Sequence, residues 1–310
     1  MPDSQPSLEI LLQGLKASAD PTRLRLLSLC ASGELTQAEL TEVLGQSQPR
    51  VARHLRILCD AGLLDRFKER QNVYYRLARK GEAGSLARAL LAQFPVADPS
   101  LDSDRQGLAR IKADRASQAS EYLQGVPSNW AGSSTPEEEA RIRGSIVNML
   151  NDCRIGALLD IGTGTGRMLR LLGGRAEEAV GVDLSRDMLA VARSSLEQAG
   201  MDHCMVRHAN MYQLPFPAAS FDTVTLDEVL GQAEDPQRVI AEAARILRPN
   251  GHLLVVDQAD DAQVSRYCSD AGLSPFKHRS ITLGQGVLRV LLAKRQSANV
   301  ITGERNQANG

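Results

Sequence analysis

Residues 158–168 read LLDIGTGTGRM. A short apolar run ends in Asp160, and three glycines follow at alternate positions, Gly162, Gly164 and Gly166. Glycine adopts positive φ at little cost and lets a ligand approach the backbone closely. The stretch therefore predicts a strand, a tight turn and the start of a helix, with a nucleotide-like ligand over the turn. The alternative is a tight strand-to-helix turn with no ligand. A dinucleotide loop spaces its glycines G-x-G-x-x-G, and the last one lets a helix N-terminus meet a pyrophosphate. Here the spacing is G-x-G-x-G, and Arg167 stands where that last glycine would be. A loop without a cradle for two phosphates suits a ligand that has none.

Outward from that loop, apolar strands and amphipathic helices alternate: ALLDI, GRMLRLLGG, AVGVD, SRDMLAVARSSLEQAG, CMVRHA, FDTVTL, PQRVIAEAARIL and HLLVVD. Such alternation predicts a parallel α/β sheet. Asp183 closes the second strand, where a carboxylate can accept both hydroxyls of a ribose. A helix cap is the competing role for that acid. The segment after Asp257 predicts a helix and two strands that close the sheet. The final residues, QSANVITGERNQANG, are polar and predict a disordered tail.

Upstream the pattern differs. LEILLQGL repeats leucines at helical spacing. Asp20 and Pro21 open a second helix with Leu24, Leu27 and Leu29 on its apolar side. Thr36 and Glu39 form a capping box before LTEVLG, which stops at Gly45. Ser47 caps a fourth helix, whose Val51, Leu55 and Leu58 point inward together with Leu63. LLDRFKERQNVYYRLA then alternates on either side of a turn at residues 70–72. Two short helices followed by a hairpin predict a winged helix-turn-helix.

Over the whole chain of 310 residues the net charge is −1, with 43% hydrophobic and 24% charged residues. That balance conceals a local excess. Nine basic residues lie between Arg50 and Lys80 against Asp60, Asp65 and Glu69, an excess of six positive charges where the helix-turn-helix and hairpin fall. A nucleic acid responds to such local charge. By reach alone, Arg50, Arg53 and His54 are candidates for base edges, and Ser47 and Gln48 at the start of the same helix are further candidates for DNA contact. Arg66, Lys68 and Arg70 are candidates for phosphates. The competing reading of this run is a merely solvated face.

These residues also carry two resemblances. ADPTRLRLLSLC, LTQAELTEVLGQSQPRVARHLRILCDAGLL and RFKERQNVYYRL resemble the ArsR-type winged helix of bacterial repressors. The resemblance implies a homodimer on a double-stranded DNA operator, with the helix from Ser47 in the major groove. LLDIGTGTGRM, VGVDLSRDML, ANMYQLPFPAASFDTV and AARILRPNGHLLVVD resemble the motifs of class I S-adenosylmethionine-dependent methyltransferases. That resemblance implies a Rossmann-like sheet and S-adenosylmethionine or S-adenosylhomocysteine as ligand. By position, Asp160, Gly162, Gly164 and Gly166 would surround the amino-acid moiety. Asp183 would hold the ribose, Leu184 would flank the adenine, and Asn210 and Met211 would border its edge. The family often has aspartate where Asn210 stands.

The expected organisation is an α/β chain in four parts. Residues 1–95 form an α+β winged helix-turn-helix, and 96–135 a linker and lid segment including Tyr122 and Trp130. Residues 136–295 form the methyltransferase-like domain, and 296–310 the tail. A cytoplasmic location is expected, with no secretion signal, membrane span or disulfide framework in the sequence. No metal is expected. The helix on which ArsR relatives place thiolate ligands has no cysteine here, and thiolate ligation needs thiols. His203, Cys204 and His208 are close in sequence, but strand alternation would part them.

Asp227 and Glu228, at the end of FDTVTLDE, are the candidate bases for methyl transfer. Relatives often carry HQVLHY there, whereas this chain has DEVLGQ. The competing roles are a helix cap for Asp227 and a solvated turn for Glu228. Related fused regulators insert a longer helical stretch after the strand ending at Asp257, and this chain lacks it. The expectation is a DNA-binding regulator, of repressor type, with the methyltransferase-like domain as effector sensor. The alternative is an active methyltransferase of a small molecule, its winged helix serving autoregulation or dimerisation. A nucleic-acid methyltransferase is disfavoured, since no NPPY-like or catalytic-cysteine motif is present.

Overall fold

The computed structural model describes residues 6–69, 71–125, 135–284 and 286–296. It divides into two compact units. One takes the described residues up to 125 together with 164–166 and 185–208; the other takes 135–163, 167–184 and 209–296.

The first unit opens with helices α1 (Leu8–Ser18) and α2 (Pro21–Ala31). Asp20 caps α2 by accepting from the Arg23 amide, and Pro21 sits in its first turn. A short strand β1 (Leu35–Thr36) leads into α3 (Gln37–Leu44), which has the full Thr36–Glu39 capping box and stops at Gly45 with φ 62°. Helix α4 (Gln48–Asp60) follows, then the hairpin β2 (Leu64–Glu69) and β3 (Asn72–Leu77). The hairpin joins β1 in a three-stranded antiparallel sheet of order β1-β3-β2. Val51, Leu55 and Leu58 are fully buried, as their helical spacing requires, and so is Leu63 just beyond α4. On α2 the apolar face is Leu26, Leu27, Leu29 and Cys30, whereas Leu24 is only partly buried. Helix α5 (Gly81–Leu91) completes a winged helix.

Helix α6 (Pro99–Gln124) occupies most of the segment read as linker. It is polar along most of its length, yet Leu101, Leu108 and Ile111 are buried. Asp104 is buried as well and takes a bidentate pair from Arg25 of α2, at 2.6 and 2.7 Å. Gly107 lets α6 come close to α3, for a Cβ there would sit 3.1 Å from Val43.

The second unit carries α7 (Pro136–Met149), β4 (Gly156–Ile161), α8 (Arg167–Leu172), β5 (Ala176–Asp183), β7 (Phe221–Asp227), α10 (Pro236–Ile246), β8 (Leu247–Asp257), α11 (Asp261–Asp270), β9 (Leu273–Leu283) and β10 (Gly286–Arg295). The first unit's remaining elements are α9 (Arg186–Gln198) and β6 (Cys204–His208). The strand order is β6-β5-β4-β7-β8-β10-β9. β4 runs parallel to both β5 and β7, and β7 parallel to β8. β10 is antiparallel to β8 and to β9. This is a Rossmann-like sheet whose order reverses between β4 and β7, and in open α/β sheets ligands bind beyond the carboxyl ends of the strands at such a reversal. The loop after β4 therefore lies where topology alone puts a ligand. Strand β8 begins earlier than the motif HLLVVD indicates, because Leu247 pairs with Phe221.

Removing Asp104 would leave Arg25 without its partner. Asp104→Ala is expected to cost about 1–3 kcal/mol, less than a fully buried pair because Arg25 is partly exposed. Thermal unfolding followed by circular dichroism checks this. A Tm equal to the wild type would show that α6 does not depend on the pair.

Candidate functional site

The glycine turn has the geometry its sequence calls for. Gly162, Gly164 and Gly166 have φ of 69°, 51° and 79°, which side chains other than glycine rarely adopt. A Cβ on Gly162 would also come within 2.5 Å of Val229. The Thr163 amide donates to the carbonyl of Val182, which ties the turn to β5.

Asp160 is almost wholly buried at the end of β4. Its two oxygens accept from Thr163 Oγ1 at 2.7 Å and Thr225 Oγ1 at 2.6 Å. Burial pushes its carboxyl up to about 7, and the Asp227 charge adds to this, while the two threonine hydroxyls oppose it. Asp160 thus acts first on the protein, fixing the glycine turn against β7. Asp183 is the last residue of β5, and the following Leu184 is 65% exposed. Asn210 uses its side-chain oxygen to accept from the Tyr212 amide at 2.9 Å. Met211 follows it in the same turn. The residues present fit a nucleoside-bearing ligand without phosphates.

At the end of β7, Asp227 and Glu228 part company. Arg167 grips Asp227 in a bidentate pair at 2.8 and 2.5 Å and also donates to Glu139 of α7 at 3.2 Å. Asp227 is therefore a structural anion, with both oxygens engaged by one guanidinium. Glu228 has φ 54°, unusual for a side-chain-bearing residue, and is partly buried. Burial and then the Asp227 charge push its carboxyl above the ordinary glutamate value. Of the two candidate bases, Glu228 has the environment that suits proton transfer. In the sequence, Arg167 is marked only by standing where a dinucleotide loop has its last glycine. Nothing short of the fold shows that it reaches a carboxylate sixty residues away.

On the winged helix, Ser47, Gln48, Arg50 and Arg53 of α4 are exposed, as are Arg66 and Lys68 of β2. Ser47 stands at the N-cap but makes no side-chain cap. His54 departs from expectation. Its side chain is 12% exposed, with Nδ1 3.7 Å from Asp20, too far for a hydrogen bond. It adjoins the inward row of Val51, Leu55 and Leu58, and burial holds its imidazole below the ordinary histidine value. An outward base contact is left to Arg50 and Arg53. Arg70 and Trp130 lie outside the described residues, as do residues 297–310; Tyr122 is in the last turn of α6.

Residues 20–66 match the family model for bacterial regulatory proteins of the arsR family, and residues 159–255 match the model for a methyltransferase domain. The chain carries an ArsR-type segment and a methyltransferase domain. Among curated proteins it is similar to a phosphatidylethanolamine N-methyltransferase of Cereibacter sphaeroides, 35% identical over 34% of this chain and 52% of the relative. It is also similar to the uncharacterized methyltransferase YcgJ of Bacillus subtilis, 32% identical over 32% of this chain and 40% of the relative. The chain spans about half the length of these relatives. The solved YcgJ structure covers 51% of this chain and 99% of its own, with 18% identity and a TM-score of 0.45.

Among the described residues, no group of three or more His, Cys, Asp or Glu is placed to hold a metal. No described helix is long and apolar enough to cross a membrane. The five cysteines are free thiols, and burial pushes Cys59 and Cys204 up to about 11, far from a reactive thiolate.

Asp160 generates a pH prediction. Its folded-state value lies above its ordinary 3.8, so between about pH 4 and 7 the folded chain holds a proton that the unfolded chain has released. Its contribution to stability is full below that window and is lost as pH rises through about 7. Asp160→Asn cannot ionise. Its Tm should fall less than the wild type's between about pH 5 and 8, and parallel profiles would refute the assignment.

Proposed function

We propose that the chain is a DNA-binding transcriptional regulator, of repressor type, whose methyltransferase-like domain takes S-adenosylmethionine or S-adenosylhomocysteine as its effector. The observation that carries this reading is Asp227. A carboxylate at the strand end facing a methyl acceptor is occupied by Arg167, which favours holding a ligand over turning one over. In this reading Gly162, Gly164 and Gly166 leave room for the amino-acid moiety and Asp160 fixes their turn. Asp183 takes the ribose hydroxyls, Leu184 covers the adenine, and Asn210 and Met211 border its edge. The second lone pair of the Asn210 oxygen is enough to accept from an adenine amino group.

The DNA-binding form is a homodimer in a cytoplasmic setting. Leu8, Leu12 and Leu15 repeat at helical spacing on α1, and all three are exposed, Leu8 at 80%. An uncovered apolar stripe of this kind suits a second copy of the chain. Arg50 and Arg53 reach base edges, while Arg66, Lys68 and Arg70 meet phosphates. The domain division read from the sequence, with residues 96–135 between winged helix and methyltransferase domain, belongs to the same proposal.

The second reading is an active small-molecule methyltransferase with the winged helix for autoregulation or dimerisation. Glu228 favours it, as a partly buried carboxyl raised toward the pH where a general base works.

Calorimetry with both ligands, followed by operator binding with and without each, separates the readings. Asp183→Ala should abolish binding of both ligands and leave the fold intact, and NAD binding as tightly as either would overturn the ligand class. Arg53→Ala should cost about 1–3 kcal/mol on the operator and relax specificity, whereas Lys68→Ala should weaken all duplexes and shallow the salt slope by about 1. Saturating S-adenosylhomocysteine should weaken operator binding by about 5–150-fold. An unchanged operator affinity together with rapid turnover of a methyl acceptor would hand the chain to the enzyme reading.

A further inference from the structure

The hairpin β2–β3 is held from behind by two arginines remote from it in sequence. Along β2 the side chains alternate: Arg66 and Lys68 face solvent, and Phe67 and Glu69 face inward. Arg193 of α9, itself only 10% exposed, donates to Glu69 Oε1 at 2.7 Å and lies 3.5 Å from Glu34. Its guanidinium stands 4.4 Å from the centre of the Tyr74 ring. Arg207 of β6 donates to Glu34 Oε1 at 2.6 Å and lies over the Phe67 ring at 3.3 Å. Phe67 and Tyr74, register partners in the hairpin, stack on each other with centres 5.2 Å apart. Each ring of the pair is thus covered by one guanidinium, and both guanidiniums share Glu34.

Buried ion pairs are a poor source of net stability, because desolvation cancels most of the attraction. Their better-attested use is to fix one geometry among several, and a planar guanidinium does this well through its fixed fork and its stacking on rings. β1 pairs with β3 only at Tyr74 and Tyr75, so beyond them the hairpin is a two-stranded ribbon, which is marginal by itself. We propose that Arg193 and Arg207 are positioning residues for DNA binding: they clamp the inner face of the wing so that Arg66 and Lys68 on its outer face are presented to phosphates. The proposal rests on the reading of this chain as a DNA-binding protein. It adds that the winged-helix sequence is incomplete as a DNA reader, since the side chains that orient its wing come from residues 193 and 207.

The test uses the full chain and a generic DNA duplex, since phosphate contacts are independent of sequence. Each lost phosphate contact shallows the slope of log K against log salt by about 0.9. Arg193→Gln is expected to weaken duplex binding by about tenfold near physiological salt and to shallow the slope by about 0.9–1.8, the share of Lys68 and Arg66. The deciding measurement is a double-mutant cycle. Lys68→Ala should weaken the wild type but have little further effect in the Arg193→Gln background, because a misplaced wing no longer brings Lys68 to the backbone. Arg193→Lys, which keeps the charge but not the fork, should restore only part of the binding. Glu69→Gln, on the hairpin itself, makes the same test should Arg193→Gln fail to fold. An undiminished cost of Lys68→Ala in either background would overturn the clamp while leaving the DNA-binding reading in place. Wild-type binding with no salt dependence would overturn that reading and the clamp with it.

Discussion

The methyltransferase domain depends on a steric constraint at one turn. After β4 the chain must turn back toward a helix within five residues while passing close to β5 and β7. Three positive φ angles accomplish it, and at Gly162 a single added methyl would collide with Val229. The surrounding chemistry follows from keeping that turn closed. Asp160 is buried so that it can hold Thr163 of the turn and Thr225 of β7 at once, and its raised carboxyl value is the consequence of that burial. With no side chains on the glycines, Val229 and Ala192 can pack directly against the turn.

Charge is handled differently in the two units. In the second, one arginine neutralises the acid at the end of β7, and Glu228 beside it keeps a partly buried and strained position. In the first, guanidiniums lie against carboxylates and aromatic rings together, and Arg115 makes a similar junction, donating to Glu39 at 2.7 and 2.8 Å and pairing also with Glu197. Such junctions are expensive to desolvate and unforgiving in geometry, which is why they specify position better than they add stability. The outward basic residues Arg50, Arg53, Arg66 and Lys68 remain in solvent, where a phosphate backbone can reach them.

Several local features were legible because their signals are short-range. Capping boxes, the Asp20–Pro21 helix start and the alternation along β2 depend on neighbours within four residues. The inward row of α4 was legible for the same reason. His54 was not, because its place beside Asp20 is set by how α4 meets α2, and helical spacing leaves a flanking position free to face either way. Leu26, not Leu24, is in the core of α2: the two lie about 200° apart around the helix, and the neighbouring helices pack on the side that carries Leu26 and Leu27.

The sequence by itself determined the classes of structure: a winged helix with a basic surface, and a mostly parallel sheet with a G-x-G-x-G turn after its first strand and an acid at the end of its second. These follow from backbone stereochemistry and short-range periodicity, which a linear string records. Only the tertiary structure decided which ionisable groups are engaged. Asp227 met Arg167, and Glu69 met Arg193, across separations of 60 and 124 residues. Partners so distant are chosen by packing, and the energy of a buried charge depends on its partner's exact distance and on the water excluded around both.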